Sequence, residues 1–330
     1  MTMSENPSRQ LAMAIGCAVE SRTSGPESET PTSANPRTTN ARRSVVGFAL
    51  LGVSLSGPLV RLSTAHPIAI ASWRLGFSLV VIAVALALTG EWRQWARLSR
   101  REVGVGVGAG AMLALHFWSW NTSVTMTTVA ASVVLVNTQP VVVALLSGIW
   151  LRETPTRRQW TGIAIAMVGA LVVALPDLLA GASAHDHPRA VLGDLLALVG
   201  ALTAAIYFVS GRRLRGTLEL WAYVGLVYGS CFIALLLLAA IGHVALAPQP
   251  PRELALFAGL ALGPMLLGHT GLNWALKRSP AYVVNLTLLG EPVGATIIAA
   301  LLPGIRELPG IFTVVGGVIV FTGILLAARR

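Results

Sequence analysis

Ten mostly apolar stretches, each close to the ~20 residues that cross a bilayer as a helix, follow one another from Val45 to Ala328 with short polar connections. Drawn by hydropathy they run 45–63, 67–89, 103–121, 125–150, 159–177, 190–212, 219–242, 253–275, 280–302 and 309–328. In hydrocarbon the backbone must satisfy its own polar groups, and for segments of this length only helices do so. The expected fold is therefore an all-α membrane protein of ten transmembrane helices. A mean hydropathy of +0.70, with only 12% charged residues, excludes an ordinary soluble domain.

The distribution of positive charge gives the orientation. Ten spans put both termini on one side, and that side collects nineteen of the 24 Lys and Arg residues in the tail, the alternate loops and the last two positions. The other side has Arg61, Arg189, Arg252 and Arg306, while Arg74 lies inside the second span. Positive residues accumulate in cytoplasmic loops, so both termini are expected in the cytoplasm of a bacterial inner membrane. Losing or adding one central span would scramble this segregation. The net charge of +10 thus reads as a topology signal, and nucleic acid is not an expected partner.

Residues 1–44 are rich in Ser, Thr, Pro, Asn and Glu and form an expected disordered cytoplasmic tail. Its apolar run Leu11–Val19 behind Arg9 imitates a signal-peptide core. Cleavage there would leave the arginine-rich remainder outside, against the charge rule, so a dispensable extension is the better reading. Cys17 and Cys231 offer neither metal spacing nor a disulfide framework. No metal or cofactor is implied.

Two parts of the sequence repeat. Gln139-Pro140 is followed by Glu153, Gly162 and Gly169, and Glu291-Pro292 by Glu307, Gly316 and Gly323, with the same spacing from Glu to the two glycines in each copy. His116 precedes the first proline and His269 the second at nearly equal distances. Each half, 45–177 and 190–328, holds five spans. An odd number forces the copies through the membrane in opposite directions, the inverted-topology repeat of many secondary transporters.

Gln139-Pro-Val-Val-Val-Ala-Leu-Leu with Leu151-Arg-Glu153 resembles the EamA-domain type of the drug/metabolite transporter superfamily, as does Glu291-Pro-Val-Gly-Ala-Thr in the second copy. Thr203-Ala-Ala-Ile-Tyr207 with Arg212-Arg213 looks like the opening helix of that copy. The resemblance covers about residues 45–328. It implies an inner-membrane carrier of small metabolites or drugs, often an exporter, working by alternating access around a cavity between two five-helix halves. Two extra residues before Glu307 depart from the pattern, and the family leaves the substrate open.

Glu291 falls near mid-depth of its span, where a charged, unpaired carboxyl is costly, so its proton or counter-ion can be coupled to conformation. Pro292 removes an N–H and frees the Leu288 carbonyl; Pro140 occupies the matching place after Gln139. The competing reading of Glu291 is a protonated side chain that bonds a neighbouring helix. Asn137 and Asn285 lie nearby and suit either interhelical bonding or substrate contact. His116 with Trp120, and His269 with Asn273, are i, i+4 pairs on matching spans. Imidazoles there bind substrate, relay protons or are satisfied by a carbonyl. Trp120 and Tyr207 are further substrate-contact candidates. Arg74, expected to snorkel or to pair with a carbonyl, is assigned a structural role, as are Glu153 and Glu307 at helix ends and Gly162, Gly169, Gly316 and Gly323 at helix contacts. Gly104, Gly106, Gly108 and Gly110 lack the strand–turn–helix setting of a dinucleotide loop and permit close packing instead.

The expected function is secondary transport of a small organic solute, and not enzymatic chemistry, with Glu291 as proton-coupling or cation-recognition group and uniport or exchange as variants of the same class; solute, lipid bilayer and, where coupled, protons are the partners. An integral-membrane enzyme acting on a lipid-linked substrate, or a non-transporting partner subunit, are the alternatives. The chain has no nucleotide-binding G-x-x-x-x-G-K-[ST] motif.

Overall fold

Proline, glycine and short polar residues divide the apolar sequence into helices. A computed structural model describes residues 36–127, 132, 135–180, 189–301 and 310–328. The chain divides after Ala41, and residues 42–330 form one unit. Among the described residues every regular element is helical: α1 (Pro36–Ser54), α2 (Ser56–Leu62), α3 (Pro67–Thr89), α4 (Arg100–Met126), α5 (Gln139–Leu146), α6 (Arg157–Ala180) and α7 (Ala190–Leu214). There follow α8 (Leu220–Ile241), α9 (Pro251–Leu260), α10 (Thr270–Leu276), α11 (Ala281–Leu286), α12 (Glu291–Leu301) and α13 (Ile311–Ala328).

Six of the described helical stretches are long and apolar enough to cross a membrane: Val45–Leu62, Pro67–Thr89, Arg100–Met126, Ala190–Leu214, Leu220–Ile241 and Pro251–Leu276. Gln139–Leu151 and Val314–Ala327 are shorter apolar helices. The first helix starts at Pro36, upstream of the apolar run and inside the stretch assigned to a disordered tail. The fourth and ninth apolar stretches differ more from the sequence reading. Helix α4 stops at Met126, and after a turn at Asn137–Thr138 helix α5 begins, ending in a π turn over Ser147–Leu151. A 3-10 turn over Thr287–Gly290 separates α11 from α12. The prolines at 140 and 292 sit at the start of the helix that follows each interruption because a proline N–H is not needed in a first turn.

Caps fix several ends. The His66 Nδ1 accepts the Ile68 N–H at 3.2 Å ahead of Pro67, and Gly90, at φ 69°, closes α3 in the left-handed conformation. Ser99 and Glu102 form a reciprocal capping box at α4. A less local cap comes from the 3-10 segment Glu91–Arg97. The Glu91 carboxylate accepts the Trp221 and Ala222 N–H groups at 2.8 and 3.2 Å, Gln94 accepts that of Glu219, and the Trp95 indole donates to the Ala222 carbonyl. An anion on the first free N–H groups of a helix is worth about 1 kcal/mol. Glu91→Ala is therefore expected to lower the unfolding free energy by about 1–2 kcal/mol; an unchanged midpoint in detergent-solubilised protein would show that the cap contributes nothing.

Small residues bring helices into backbone contact. A Cβ at Gly52 in α1 would lie 2.6 Å from the Gly268 N, and one at Gly110 in α4 would lie 2.6 Å from the Val227 carbonyl in α8. Gly106 also meets α8, whereas Gly104 and Gly108 face open space. Helices α6 and α13 meet through two glycines on each side. There a Cβ at Gly162 would lie 2.7 Å from the Gly323 carbonyl, and one at Gly169 2.8 Å from the Gly316 carbonyl. The residue order reverses between partners, so these two helices are antiparallel. Such close approach is how helices gain dispersion energy where lipid removes the hydrophobic drive.

Polar clamps hold the two ends of the 251–276 stretch. At its start Glu253, 3% exposed, accepts from the Thr64 N–H and hydroxyl at 3.1 Å each and from the Ser63 hydroxyl, while Arg252 donates to the Leu62 carbonyl. At its end Arg212 pairs with Glu153 at 2.8 Å and donates to the Leu276 carbonyl. The buried Arg215 donates to the Asn273 and Leu218 carbonyls. Glu153 is thus tied to α7 rather than to its neighbour Arg152. Glu307 and its loop lie outside the described residues.

Candidate functional site

A cavity of about 60 Å³ lies among side chains from both halves of the chain. From the first half come Arg74 on α3, His116, Phe117 and Trp120 on α4, and Asn137, Gln139 and Pro140 where α5 begins. The second half supplies Tyr207 and Phe208 on α7, Pro264 and His269, and Asn285, Leu288 and Glu291 around the 3-10 turn. Three irregular backbones meet here. Besides the two proline starts, the α9–α10 stretch contains a π segment over Ala261–His269 with Pro264 inside it. Proline there leaves the Leu260 carbonyl without its α-helical donor, and π turns of this kind recur at functional sites. Irregular backbone at membrane depth is tolerated where it lines a cavity.

His116, buried, donates its Nδ1–H to the Gly200 carbonyl at 3.0 Å, which fixes the ring and leaves Nε2 as the acceptor in the neutral form. Its ring stacks on Trp120 one turn away, at 6.5 Å and 4°. His269 packs edge-on against Phe117 at 5.6 Å and beside Phe208 at 6.4 Å, with its Nδ1 buried and unpartnered. Gln139 donates to the Asn285 Oδ1 at 2.9 Å, leaving the Asn285 amide nitrogen without a partner. Asn273 stands behind the wall. It donates to the hydroxyls of Tyr207 at 2.6 Å and Tyr228 at 3.1 Å, and Tyr228 in turn meets Thr270.

Eight of the nine substrate or coupling candidates therefore line one cavity, with Asn273 supporting it; Pro140 is on the wall and Pro292 follows Glu291 just outside it. The structure also brings in Arg74, which sequence reasoning set apart as structural. Its side chain is 1% exposed and turned inward. The guanidinium lies 3.9 Å over the Phe117 ring, and its Nη2 meets the Met265 sulfur at 3.5 Å. It neither snorkels nor bonds a carbonyl, since α9 covers the stretch around Ile70 and Trp73 with Phe257 and Leu260. Phe117 and Phe208 were missed as well. Each adjoins a candidate, His116 or Tyr207, and that adjacency was the available signal. No group of three or more His, Cys, Asp or Glu that could hold a metal occurs among the described residues.

The cavity has room for roughly four waters, far below the ~300 Å³ of an ordinary organic-ligand pocket. An organic solute would need this conformation to open.

The model of the EamA-like transporter family matches residues 44–175 and again residues 191–329. An uncharacterized transporter of Bacillus subtilis, YyaM, is 26% identical over 265 residues, 79% of this chain and 84% of that protein. A probable terminal-alkyne amino-acid exporter of Streptantibioticus cattleyicolor is 27% identical over 199 residues, covering 59% of this chain and 63% of the exporter. One solved crystal structure superposes with a TM-score of 0.70 over 88% of this chain and 97% of its own, at 15% identity, a likeness of fold alone.

Proposed function

Because the chain belongs to the EamA-like transporter family and is a multi-pass membrane protein, we propose that it carries a small organic solute by alternating access, as an exporter coupled to protons. The observation that carries this reading is the convergence of Glu291, Gln139, His116, His269 and Tyr207 on one cavity between the two matched segments. Glu291 serves as the coupling group. Its carboxyl takes no hydrogen bond from the described residues, so solute and proton are free to compete for it. His116 and His269 both line the cavity, and the unpartnered Trp120 and Asn285 nitrogens offer hydrogen-bond donors to the solute, with Asn137 beside them.

The proposed arrangement is ten spans in two inverted halves, 45–177 and 190–328, behind a cytoplasmic tail, with both termini on the cytoplasmic side of the inner membrane. The α6–α13 contact supports it. Gly162 meets Gly323 and Gly169 meets Gly316, whereas the repeat equates Gly162 with Gly316 and Gly169 with Gly323. That exchange of partners is what a two-fold axis between copies requires. Thiols introduced at Arg97 and His243, in a chain lacking Cys17 and Cys231, are expected to react with an impermeant reagent from opposite faces of the membrane; reaction from the same face rejects the ten-span arrangement. The transport reading itself predicts saturable solute flux into proteoliposomes bearing the purified chain, and protein-free rates across a broad solute panel would remove it. The clamps at Glu253 and at Arg212 and Arg215 are the contacts proposed to open in turn.

A further inference from the structure

Helix packing uses only half of the run Gly104, Gly106, Gly108 and Gly110. Gly106 and Gly110 lie against α8, whereas a Cβ at Gly104 or Gly108 would meet nothing among the described residues within 4 Å. Those two glycines stand one turn apart on α4, with Val103 and Val107 exposed beside them. The helix thus presents a smooth apolar face, and Arg101 stands at its head, three residues before Gly104.

A cleft of about 310 Å³ opens there between the start of α4 and the end of α7, within the ~300–1,000 Å³ of an ordinary organic-ligand pocket. Val105 and Leu214 supply apolar wall, and Arg101 and Arg213 bring one guanidinium from each helix. Both arginines are exposed, and neither joins an ion pair among the described residues. The other polar groups on the wall are already used. The Glu102 Oε2 accepts from the Ser99 N–H and hydroxyl, and the Thr217 hydroxyl donates to the Leu214 carbonyl. Two like charges facing one cleft repel, and an anion between them reverses that. Phosphate oxygens match the planar fork of a guanidinium.

The depth of the cleft says which phosphate. Helix α4 has 27 residues, about 40 Å at ~1.5 Å each, against a hydrocarbon core of ~30 Å. Its arginine-bearing first turn therefore reaches the headgroup level. Trp92 on the preceding 3-10 segment is half exposed, with the Arg93 guanidinium 5.5 Å from its ring, as suits an aromatic side chain at a membrane interface. A soluble phosphate ester would engage the two guanidiniums and leave the apolar face of α4 bare. A phospholipid uses both.

Going beyond the transport reading, and independent of what the central cavity carries, we propose that this cleft binds an anionic phospholipid. Its phosphate is held between Arg101 and Arg213, and one acyl chain lies along the Gly104 and Gly108 face of α4. Arg101 belongs to the first family-matched segment and Arg213 to the second, so the bound lipid bridges the two.

The test is native mass spectrometry of the full chain, incubated in detergent with equal amounts of palmitoyl-oleoyl phosphatidylglycerol and phosphatidylcholine. The two lipids share their chains and differ in headgroup charge. A guanidinium near an anionic lipid surface is worth about fivefold in binding, so wild type is expected to retain phosphatidylglycerol over phosphatidylcholine by at least about fivefold. Arg101→Gln with Arg213→Gln should bring that ratio to near one. Arg93→Gln with Arg97→Gln removes the same charge from residues outside the cleft and should leave most of the preference. Each ratio is read within one protein, so a variant that folds poorly does not imitate the result. A wild-type ratio near one overturns the site. An equal loss in both double variants overturns it too, as the mark of diffuse attraction to a basic surface. Glycerol 3-phosphate that displaces the bound lipid at equal concentration overturns the lipid in favour of a soluble phosphate ester. None of these outcomes bears on transport, which the solute panel described above decides.

Discussion

Glu291→Gln is expected to reduce solute accumulation driven by an imposed pH gradient by about tenfold or more, equivalent to about 1.4 kcal/mol of lost driving interaction, while leaving the unfolding temperature within a few degrees of wild type. The amide keeps the shape and most of the hydrogen-bonding capacity of the acid but cannot release a proton. Since the Glu291 carboxyl bonds none of the described residues, and only its backbone carbonyl is approached by the Ser54 hydroxyl, no hydrogen bond among the described residues depends on its ionisation. The side chain could instead be a protonated strut between helices. In that case stability would fall and gradient-driven accumulation, corrected for folded protein, would persist. The two readings therefore separate in a single pair of measurements, flux and melting.

The second large effect concerns the α6–α13 contact. A Cβ on Gly323 would stand 2.5 Å from both the Ala166 N and the Gly162 carbonyl, with backbone on each side and no flexible side chain to yield. Gly323→Ala should force the helices apart and cost about 1–3 kcal/mol, as overpacking does elsewhere. Gly323→Leu should cost more and reduce the yield of folded protein. Gly104→Ala is the control. Nothing lies within 4 Å of that position, so alanine there should be neutral or stabilising by up to ~1 kcal/mol through helix propensity. Equal melting temperatures for Gly323→Ala and Gly104→Ala would deny that the glycines set the spacing.

These glycines illustrate how much was legible in advance. Their even spacing in both copies pointed to helix contacts, and the structure adds that the two sets meet each other. Apolar run lengths gave the helices to within a few residues where caps are local, as at Pro67 and Gly90. They failed where a run is broken from within. The 3-10 turn before Glu291 and the π segment around Pro264 leave hydropathy unchanged, because they alter hydrogen-bond register and not residue polarity. Mid-span polarity and repeat matching located Glu291, Gln139 and both histidines. Arg74 was visible as the one cation well inside a span, but its direction was not, since whether it turns outward or inward depends on α9, remote in sequence. Glu253 and Glu91 escaped for the same reason: their partners, Thr64 and Trp221, are brought near only by the fold.

The account stands on the cavity being a point on a pathway that opens to each side in turn. The most direct measurement places a single thiol there, Val136→Cys in a chain lacking Cys17 and Cys231, and reacts it with a membrane-impermeant reagent in right-side-out and inside-out vesicles. Val136 borders the cavity, whose present volume is too small for such a reagent. Alternating access predicts reaction from both faces, slowed from either face by a transported solute. Reaction from one face only, or from neither, would contradict it.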